Sequence, residues 1–264
     1  MTKDIFGVRS LLFLPASNPR AIARAREAGA DMVVLDLEDA VKPEDKDAAR
    51  DAAVAAVEEA WPVPVAIRVN GIGTHWHAAD IEAAGKSKAD VIVVPRVQAV
   101  EDVRPIEGKP VLAMIETASG VIAAPQVAQA CAGLIAGTND LRADLRLPLG
   151  GGRESISAAL QWIVLSARAG GVIAIDGVFN GLDDESGLLA EAREGRALGF
   201  DGKSLIHPRQ IAPCHEAFAP TEAEIERAKA LVEAFSGGAE RMGNEMIERM
   251  HVEAAKRVLV RART

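Results

Sequence analysis

The sequence predicts a (β/α)₈ barrel followed by extra C-terminal helices, and three observations support this prediction. Short apolar runs alternate with longer amphipathic segments over residues 1–219. These runs are almost continuously apolar, which is typical of strands in a parallel sheet covered on both faces. The repeat spans about 220 residues, a usual length for this fold. A doubly wound open sheet is the rival arrangement, and no GxGxxG motif follows the first run to favour it.

The apolar runs predict strands in a fixed order along the chain. These strands cover residues 10–15, 31–39, 64–71, 89–97, 109–117, 133–140, 171–180 and 199–208. Amphipathic segments between the strands predict helices, most clearly at 19–28, 44–59, 154–168 and 184–198. The Ala-rich helix at 44–59 is expected to begin near Pro43, because proline favours the first turn of a helix.

The pattern changes after residue 219, so the chain is predicted to contain a barrel domain, 1–219, and a helical extension, 220–264. Pro220 and Thr221 precede acidic residues, as expected at a helix start. A helix over 220–235 is followed by the segment SGGAERMGNE, which predicts a flexible connector, and then by a last helix. The extension is expected to pack on the barrel or to cross to a neighbouring subunit.

Composition and charge exclude several classes of function. The chain has a formal net charge of −8 and no basic block, which argues against nucleic-acid binding. It has no apolar segment of about 18 residues, so no membrane span is expected. Cys131 and Cys214 are far apart and lack metal-site spacing, so we expect both to be reduced and the protein to be cytoplasmic.

Polar side chains stand at the end of nearly every predicted strand. In a (β/α)₈ barrel these ends meet at one mouth, where active sites lie. The residues concerned are Asp36, Glu38, Asp39, Arg68, Asn70, Arg96, Glu116, Thr117, Thr138, Asn139, Asp140, Asp176, Asn180, Lys203, Ser204 and His207.

Glu116 and Asp140 are the strongest metal-ligand candidates among these residues. They offer hard oxygen ligands without a Cys or His set, which favours Mg²⁺. The alternative is that either acid pairs with Arg68 or Arg96. The Arg68 guanidinium suits a substrate carboxylate or carbonyl. A metal and an arginine on one oxygen would stabilise an enolate, as carbon–carbon cleavage beside a carbonyl requires.

Other candidate motifs have weaker support. Lys203 is the strand-end lysine that a Schiff-base aldolase would need, but it lies early in its strand. His75 and His77 lack zinc spacing and are expected at a helix entry or on the surface. His207 is expected in a loop or cap. The Gly-rich segment 149–155 fits no phosphate-loop pattern and predicts a mobile loop.

Several motifs in fixed order together resemble the HpcH/HpaI aldolase and citrate lyase beta-subunit family. They cover residues 9–212 and read RSLLFLPASNP, VVLDLEDAV, IRVNG, VIVVPRV, IETASG, GTNDL and GFDGKSLIHPRQI. The resemblance implies a homo-oligomeric barrel, usually a trimer or hexamer. It also implies Mg²⁺-dependent cleavage or formation of 3-hydroxyacyl-CoA esters such as citryl-, malyl- or citramalyl-CoA.

The resemblance also implies roles for individual residues. Glu116 and Asp140 would be catalytic metal ligands, and Arg68 would bind the oxygen of the keto acid or acyl group. The remaining implied residues contact the substrate (Glu116, Gly137, Asn139) or support the site (Asp36, Glu38, Asp39).

The sequence departs from the family pattern at two places. Many relatives carry a C-terminal GKMID motif followed by proline, whose Asp serves a neighbouring subunit as acid or base. The corresponding stretch is GNEMIERMHV, where Glu248 takes the Asp place and Met250 the proline place. Glu248 is therefore the candidate proton carrier. Arg96 stands where relatives often have lysine.

Three functions remain open from the sequence. The first is a Mg²⁺-dependent lyase that converts a short 3-hydroxyacyl-CoA into a 2-oxo acid and an acyl-CoA. The second is a class II aldolase for free 2-oxo-acid adducts, although no convincing His base is present. The third, suggested by the altered tail, is a noncatalytic subunit that binds a keto acid or CoA. In the first and third of these functions, the acyl group would be carried by CoA or by an acyl-carrier protein.

Overall fold

The structure is a computed structural model that describes residues 5–104, 106 and 108–262. Within these residues, eight parallel strands pair in chain order, and β8 pairs with β1 to close a barrel. The predicted (β/α)₈ fold is confirmed. The strands are β1 Ser10–Pro15, β2 Met32–Asp36, β3 Val65–Arg68, β4 Val91–Val94, β5 Val111–Ile115, β6 Gly133–Ala136, β7 Ile173–Asp176 and β8 Gly202–Leu205.

Helices connect the strands, except between β4 and β5, where the described residues form a short 3-10 helix, Val100–Asp102, and further helices follow the barrel. A short additional helix, α5, lies between β6 and the longer helix α6. The helices are α1 Pro19–Ala25, α2 Lys46–Glu58, α3 His77–Lys86, α4 Ala118–Val127, α5 Thr138–Asp144, α6 Ser157–Gly170, α7 Glu185–Leu198, α8 Ile211–Phe218, α9 Glu222–Ala234 and α10 Arg249–Arg261.

Local sequence signals explain where several helices begin and end. The side chains of Asn18, Thr117 and Asp184 accept hydrogen bonds from backbone N–H groups in the first turns of α1, α4 and α7. Gly171 and Gly199 end α6 and α7 in the left-handed conformation, which glycine adopts at low cost.

The barrel interior is filled by aliphatic side chains, as the scarcity of aromatic residues requires. These side chains alternate along the strands and bury one another in a single cluster. The cluster includes Leu11, Met32, Val34, Ala66, Val91, Val93, Leu112, Ile135 and Ile175. The core therefore fixes the strands rigidly beneath the polar residues at their carboxyl ends.

Most strands are shorter than the sequence predicts, because the polar residues after the apolar runs leave the ladder. Residues 31–39 were predicted as one strand, but β2 ends at Asp36. The Asp36 carboxylate accepts hydrogen bonds from the N–H groups of Glu38, at 2.8 Å, and Ala40, at 3.0 Å, which turns the chain. Likewise, β5 ends at Ile115, so Glu116 is the first residue after the strand.

The chain divides into two compact units, residues 1–217 and 218–264. In the second unit, α9 and α10 bury Ala228, Leu231 and Ala255. The predicted flexible connector is wrong in part, because β9 (Glu240–Met242) and β10 (Glu245–Ile247) pair antiparallel. No helix among the described residues is both long and apolar enough to cross a membrane.

Candidate active site

A pocket of about 350 Å³ is lined by residues from the carboxyl ends of the barrel strands. Because these strands are parallel and closed into a barrel, their carboxyl ends face the same mouth. The predicted site residues that line it are Asp36, Asp39, Arg68, Glu116, Gly137, Asn139 and Asp140.

Glu116 is a buried carboxyl group in this pocket, with only 2% of the residue exposed. The Arg96 N–H donates to its Oε1 at 2.6 Å. Burial raises the pKa of Glu116 to about 7, although the Arg96 hydrogen bond lowers it. A Cβ atom at Gly137 would collide with Oε2 of Glu116, so the glycine permits this close approach.

Asp140 lies in the first turn of α5, beside Glu116. Its negative charge contributes to the raised pKa of Glu116. The Arg96 guanidinium lies 3.4 Å from Asp140 Oδ1. The acids predicted as metal ligands are thus brought together around Arg96, which contacts Glu116 through its backbone and Asp140 through its side chain.

Arg68 lies at the end of β3 and is surrounded by acids from residues 36–39, an acidic segment that begins at the last residue of β2. Its Nε and Nη2 donate to the two carboxylate oxygens of Asp36, each at 2.6 Å. Its Nη1 lies 2.8 Å from Glu38 and 3.6 Å from Asp39. Burial opposes its charge, but Asp36 and these neighbours raise its pKa. Arg68 lines the pocket. Two nitrogens of the guanidinium that we predicted to bind a substrate are instead bonded to Asp36. The substrate-binding role of Arg68 stays a prediction.

Lys46 supports the acidic segment 36–39, a role that the sequence analysis did not predict. Its Nζ donates to the carbonyl oxygens of Leu37 and Glu38, each at 2.9 Å, and to the side-chain oxygen of Asn70. The same Nζ lies 5.2 Å from the centroid of the Trp76 ring. A lysine at the start of an Ala-rich helix gives no signal of this role, because its partners are in loops after other strands.

Asn139, in the first turn of α5, is linked to Asn180, in the loop after β7. Their amides exchange hydrogen bonds of 3.2 and 2.9 Å across the pocket rim. The backbone N–H of Gly137 donates to the Ile115 carbonyl at 3.0 Å. Substrate contacts by Gly137 and Asn139 stay predictions.

Other sequence candidates lie away from this pocket. Lys203 is fully buried and its Nζ bonds to Glu191 at 2.6 Å and Asp176 at 3.1 Å, an environment unlike that of a Schiff-base lysine. His77 begins α3, and His207 caps the short helix Pro208–Gln210, so both structural predictions are confirmed.

Glu248 lies in the C-terminal unit, immediately before α10. Its backbone N–H donates to His251 Nδ1 at 3.0 Å, which helps to cap this helix. Its predicted proton-carrying role stays a prediction.

Glu116 and Asp140 match the ligands that Mg²⁺ prefers. The described residues contain no group of three or more His, Cys, Asp or Glu side chains arranged to hold a metal ion. Mg²⁺ usually binds to one or two carboxylates and completes its coordination with water and substrate oxygens. A pair of carboxylates in an open pocket therefore fits Mg²⁺ better than a metal that needs an all-protein cage.

A closed parallel barrel with ionisable side chains at the carboxyl ends of its strands has the organisation of a barrel enzyme. The family model described as HpcH/HpaI aldolase/citrate lyase matches residues 9–208. A second model, described as a carbon–carbon bond lyase of the TIM-barrel fold, matches residues 156–264. The chain belongs to the HpcH/HpaI aldolase/citrate lyase family and is an enzyme of the carbon–carbon lyase class.

Individual relatives cover nearly the whole chain. A (3S)-malyl-CoA thioesterase of Cereibacter sphaeroides is 39% identical, over 96% of this chain and 94% of the relative. The citrate lyase beta subunit of Leuconostoc mesenteroides subsp. cremoris is 34% identical, over 95% of this chain and 92% of the relative. The crystal structure of CitE from Mycobacterium tuberculosis with magnesium, acetoacetate and coenzyme A is 32% identical, with a TM-score of 0.88 over 97% of this chain and 98% of that one.

Proposed function

We propose that this enzyme uses Mg²⁺ to cleave, or in reverse to form, a carbon–carbon bond in a short 3-hydroxyacyl-CoA thioester. The products of cleavage are a 2-oxo acid and an acyl-CoA. The observation that carries the proposal is the pairing of Glu116 and Asp140 in one pocket with Arg68. The complex of the M. tuberculosis relative with magnesium, acetoacetate and coenzyme A supports it.

Glu116 and Asp140 are the residues that would hold the metal. When bound, Mg²⁺ supplies a Lewis acid that polarises a substrate carbonyl oxygen. Arg68 adds a fixed positive charge at the same pocket, and Asp36 holds it in place. The two carboxylates would thereby orient the keto-acid part of the substrate beside Arg68.

Cleavage requires two proton movements. A base removes the substrate hydroxyl proton, the carbon–carbon bond breaks to give the 2-oxo acid, and its electron pair passes to the α-carbon of the thioester. That carbon then takes up a proton to give the acyl-CoA. We assign Glu248 as the proton carrier, because it takes the place of the C-terminal Asp in relatives.

Hydrolysis of the thioester is a second candidate reaction, favoured by the relatives named (3S)-malyl-CoA thioesterase. In this reaction water adds to the thioester carbonyl, the carbon–sulfur bond breaks, and a free acid and the CoA thiol leave. An aldolase for free 2-oxo-acid adducts has less support, because no His is among the described residues that line the pocket.

The family resemblance supports assembly into a trimer or hexamer, which we include in the proposal.

The unpaired Cys131 and Cys214 support a reducing, cytoplasmic setting.

The test is a panel of malyl-, citramalyl-, citryl- and methylmalyl-CoA, assayed with and without Mg²⁺. We expect Mg²⁺-dependent release of a 2-oxo acid from at least one thioester, without free CoA thiol. Release of free thiol and an intact hydroxy acid would instead establish hydrolysis. A panel without any turnover would contradict both reactions.

The Glu116→Ala variant should lose metal-dependent turnover, because it removes one of the two proposed ligands. Glu82→Ala is the control, since Glu82 is exposed on α3 and bonds to Lys86. Normal activity of Glu116→Ala would show that the metal assignment is wrong.

A further inference from the structure

Arg96 has an unusual backbone for a residue with a long side chain. Its φ is 52°, and among the described non-glycine residues only Arg146 shares a positive value. Left-handed φ values are uncommon for such residues and are often found at functional sites. Arg96 follows β4 by two residues, so this conformation occurs at the mouth of the barrel.

The backbone N–H of this same residue donates a hydrogen bond to the buried Glu116. This hydrogen bond, 2.6 Å to Oε1, is short for an N–H donor and a carboxylate oxygen. It depends on the backbone alone, so it persists whatever the Arg96 side chain contacts.

The Arg96 side chain makes a separate and weaker contact. Its Nη1 lies 3.4 Å from Asp140 Oδ1, and the two side chains are 48% and 42% exposed. Exposed ion pairs with this geometry contribute little stability and exchange readily. The guanidinium is therefore a positive charge that can leave Asp140.

We propose that the Arg96 guanidinium neutralises Asp140 in the metal-free site and leaves it when a divalent cation binds, so that the two cations compete for one carboxylate. This inference rests on the proposed metal site. Removing the guanidinium deletes both the competitor and a positive charge near the cation, and both effects favour metal binding.

The test measures divalent-cation affinity directly, without turnover. Free Mn²⁺ is followed by electron paramagnetic resonance, and Mg²⁺ binding by calorimetry, on the full chain. Arg96→Gly keeps the N–H and suits the left-handed backbone, whereas Arg96→Lys keeps a positive charge. Arg142→Met, on the same helix as Asp140, removes a charge that bonds to Gly151 and Gly152 instead.

We expect Arg96→Gly to bind Mn²⁺ and Mg²⁺ roughly three- to tenfold more tightly than wild type at low salt. This gain should shrink at high salt, because exposed charges are screened. The divalent-cation affinities of Arg96→Lys and Arg142→Met should stay within about twofold of the wild-type value, because exposed charges have only a modest effect at this distance.

Unchanged or weaker binding by Arg96→Gly would overturn the inference, and weaker binding is what a purely structural role predicts. Glu116→Ala and Asp140→Ala identify the site, since both should abolish the binding. If wild type binds no divalent cation there, both the inference and the proposed metal-dependent function are wrong. Equal binding by wild type and Arg96→Gly contradicts the inference alone.

Discussion

At the scale of single residues, Glu38 shows how burial and a neighbouring cation oppose each other. Burial raises the pKa of Glu38 to about 8, although the positive charge of Arg68 lowers it. In the unfolded chain an ordinary glutamate titrates near pH 4.5. The folded protein therefore binds a proton at Glu38 over a range in which the unfolded chain does not.

Glu38 should make stability fall with increasing pH. Its pKa is raised on folding, so its contribution is fully present below about pH 4.5 and is lost as the pH rises through about 8. We expect the free energy of unfolding to fall less between pH 5 and 8 in Glu38→Gln than in wild type. Urea denaturation at several pH values measures this slope, with Glu27→Gln, an exposed position on the loop after α1, as the control. Equal slopes in wild type and Glu38→Gln would contradict the assignment.

The contacts of Arg96 and Lys46 could not be predicted from the sequence. Strand-end logic predicted that Glu116 and Asp140 would share a pocket, because both follow apolar runs. The hydrogen bond from the Arg96 N–H to Glu116 joins the segment after β4 to the first residue after β5, and no local pattern specifies either this contact or the left-handed φ of Arg96. The contacts of Lys46 join a helix to loops after β2 and β3, so they arise only when the barrel closes.

At the scale of elements, β6 carries a glycine at its start and another just after its end. A Cβ at Gly133 would lie 2.5 Å from Ile173 and 2.7 Å from Leu112, inside the packed barrel. A Cβ at Gly137 would instead meet the carboxyl group of Glu116. The same substitution at the two positions therefore separates stability from function.

Gly133→Ala should lower the free energy of unfolding by about 1–3 kcal/mol through overpacking, while leaving metal affinity close to wild type. Gly137→Ala should displace Glu116 and weaken metal binding and turnover by about tenfold or more. Chemical denaturation and metal titration of both variants measure the two effects. If Gly137→Ala binds metal normally, the close approach to Glu116 has no functional role.

The elements also show how far hydrophobic patterns predict structure. The eight apolar runs identified the barrel strands, because each strand is buried on both faces. Their carboxyl ends were overestimated, since the pattern does not reveal that Asp36 turns the chain by accepting hydrogen bonds from its own loop. The antiparallel pair β9–β10 was missed because each strand has only three residues, ERM and EMI, which is too short to show the alternation of a half-buried strand.

At the scale of the whole molecule, the family resemblance implies that Glu248 serves the site of a neighbouring subunit. Arg68→Ala and Glu248→Gln should each have strongly reduced turnover as separate proteins. When they are unfolded together and refolded as a mixture, about a quarter of the sites should combine intact residues from two subunits. Turnover should recover to that fraction.

The control for this mixing experiment is a mixture of Arg68→Ala with Glu116→Ala. Both changes affect the barrel unit of one chain, so no combination of subunits restores a site. If the Arg68→Ala and Glu248→Gln mixture is as inactive as this control, Glu248 does not act across subunits.

The position of Trp76 beside the Lys46 ammonium provides a built-in optical probe. Indole emission responds to nearby charge. The Lys46 ammonium is hydrogen-bonded to the backbone of the acidic segment 36–39, whose carboxylates surround Arg68. The ring of Trp61 lies 4.1 Å from the guanidinium of Arg26, and Trp162 is 45% exposed on α6. None of these three tryptophans is among the described residues that line the pocket, so Trp76 would report on it through Lys46. A rearrangement of the acidic segment on ligand binding should therefore change the intrinsic fluorescence of Trp76. The emission of Trp61 and Trp162 should stay constant.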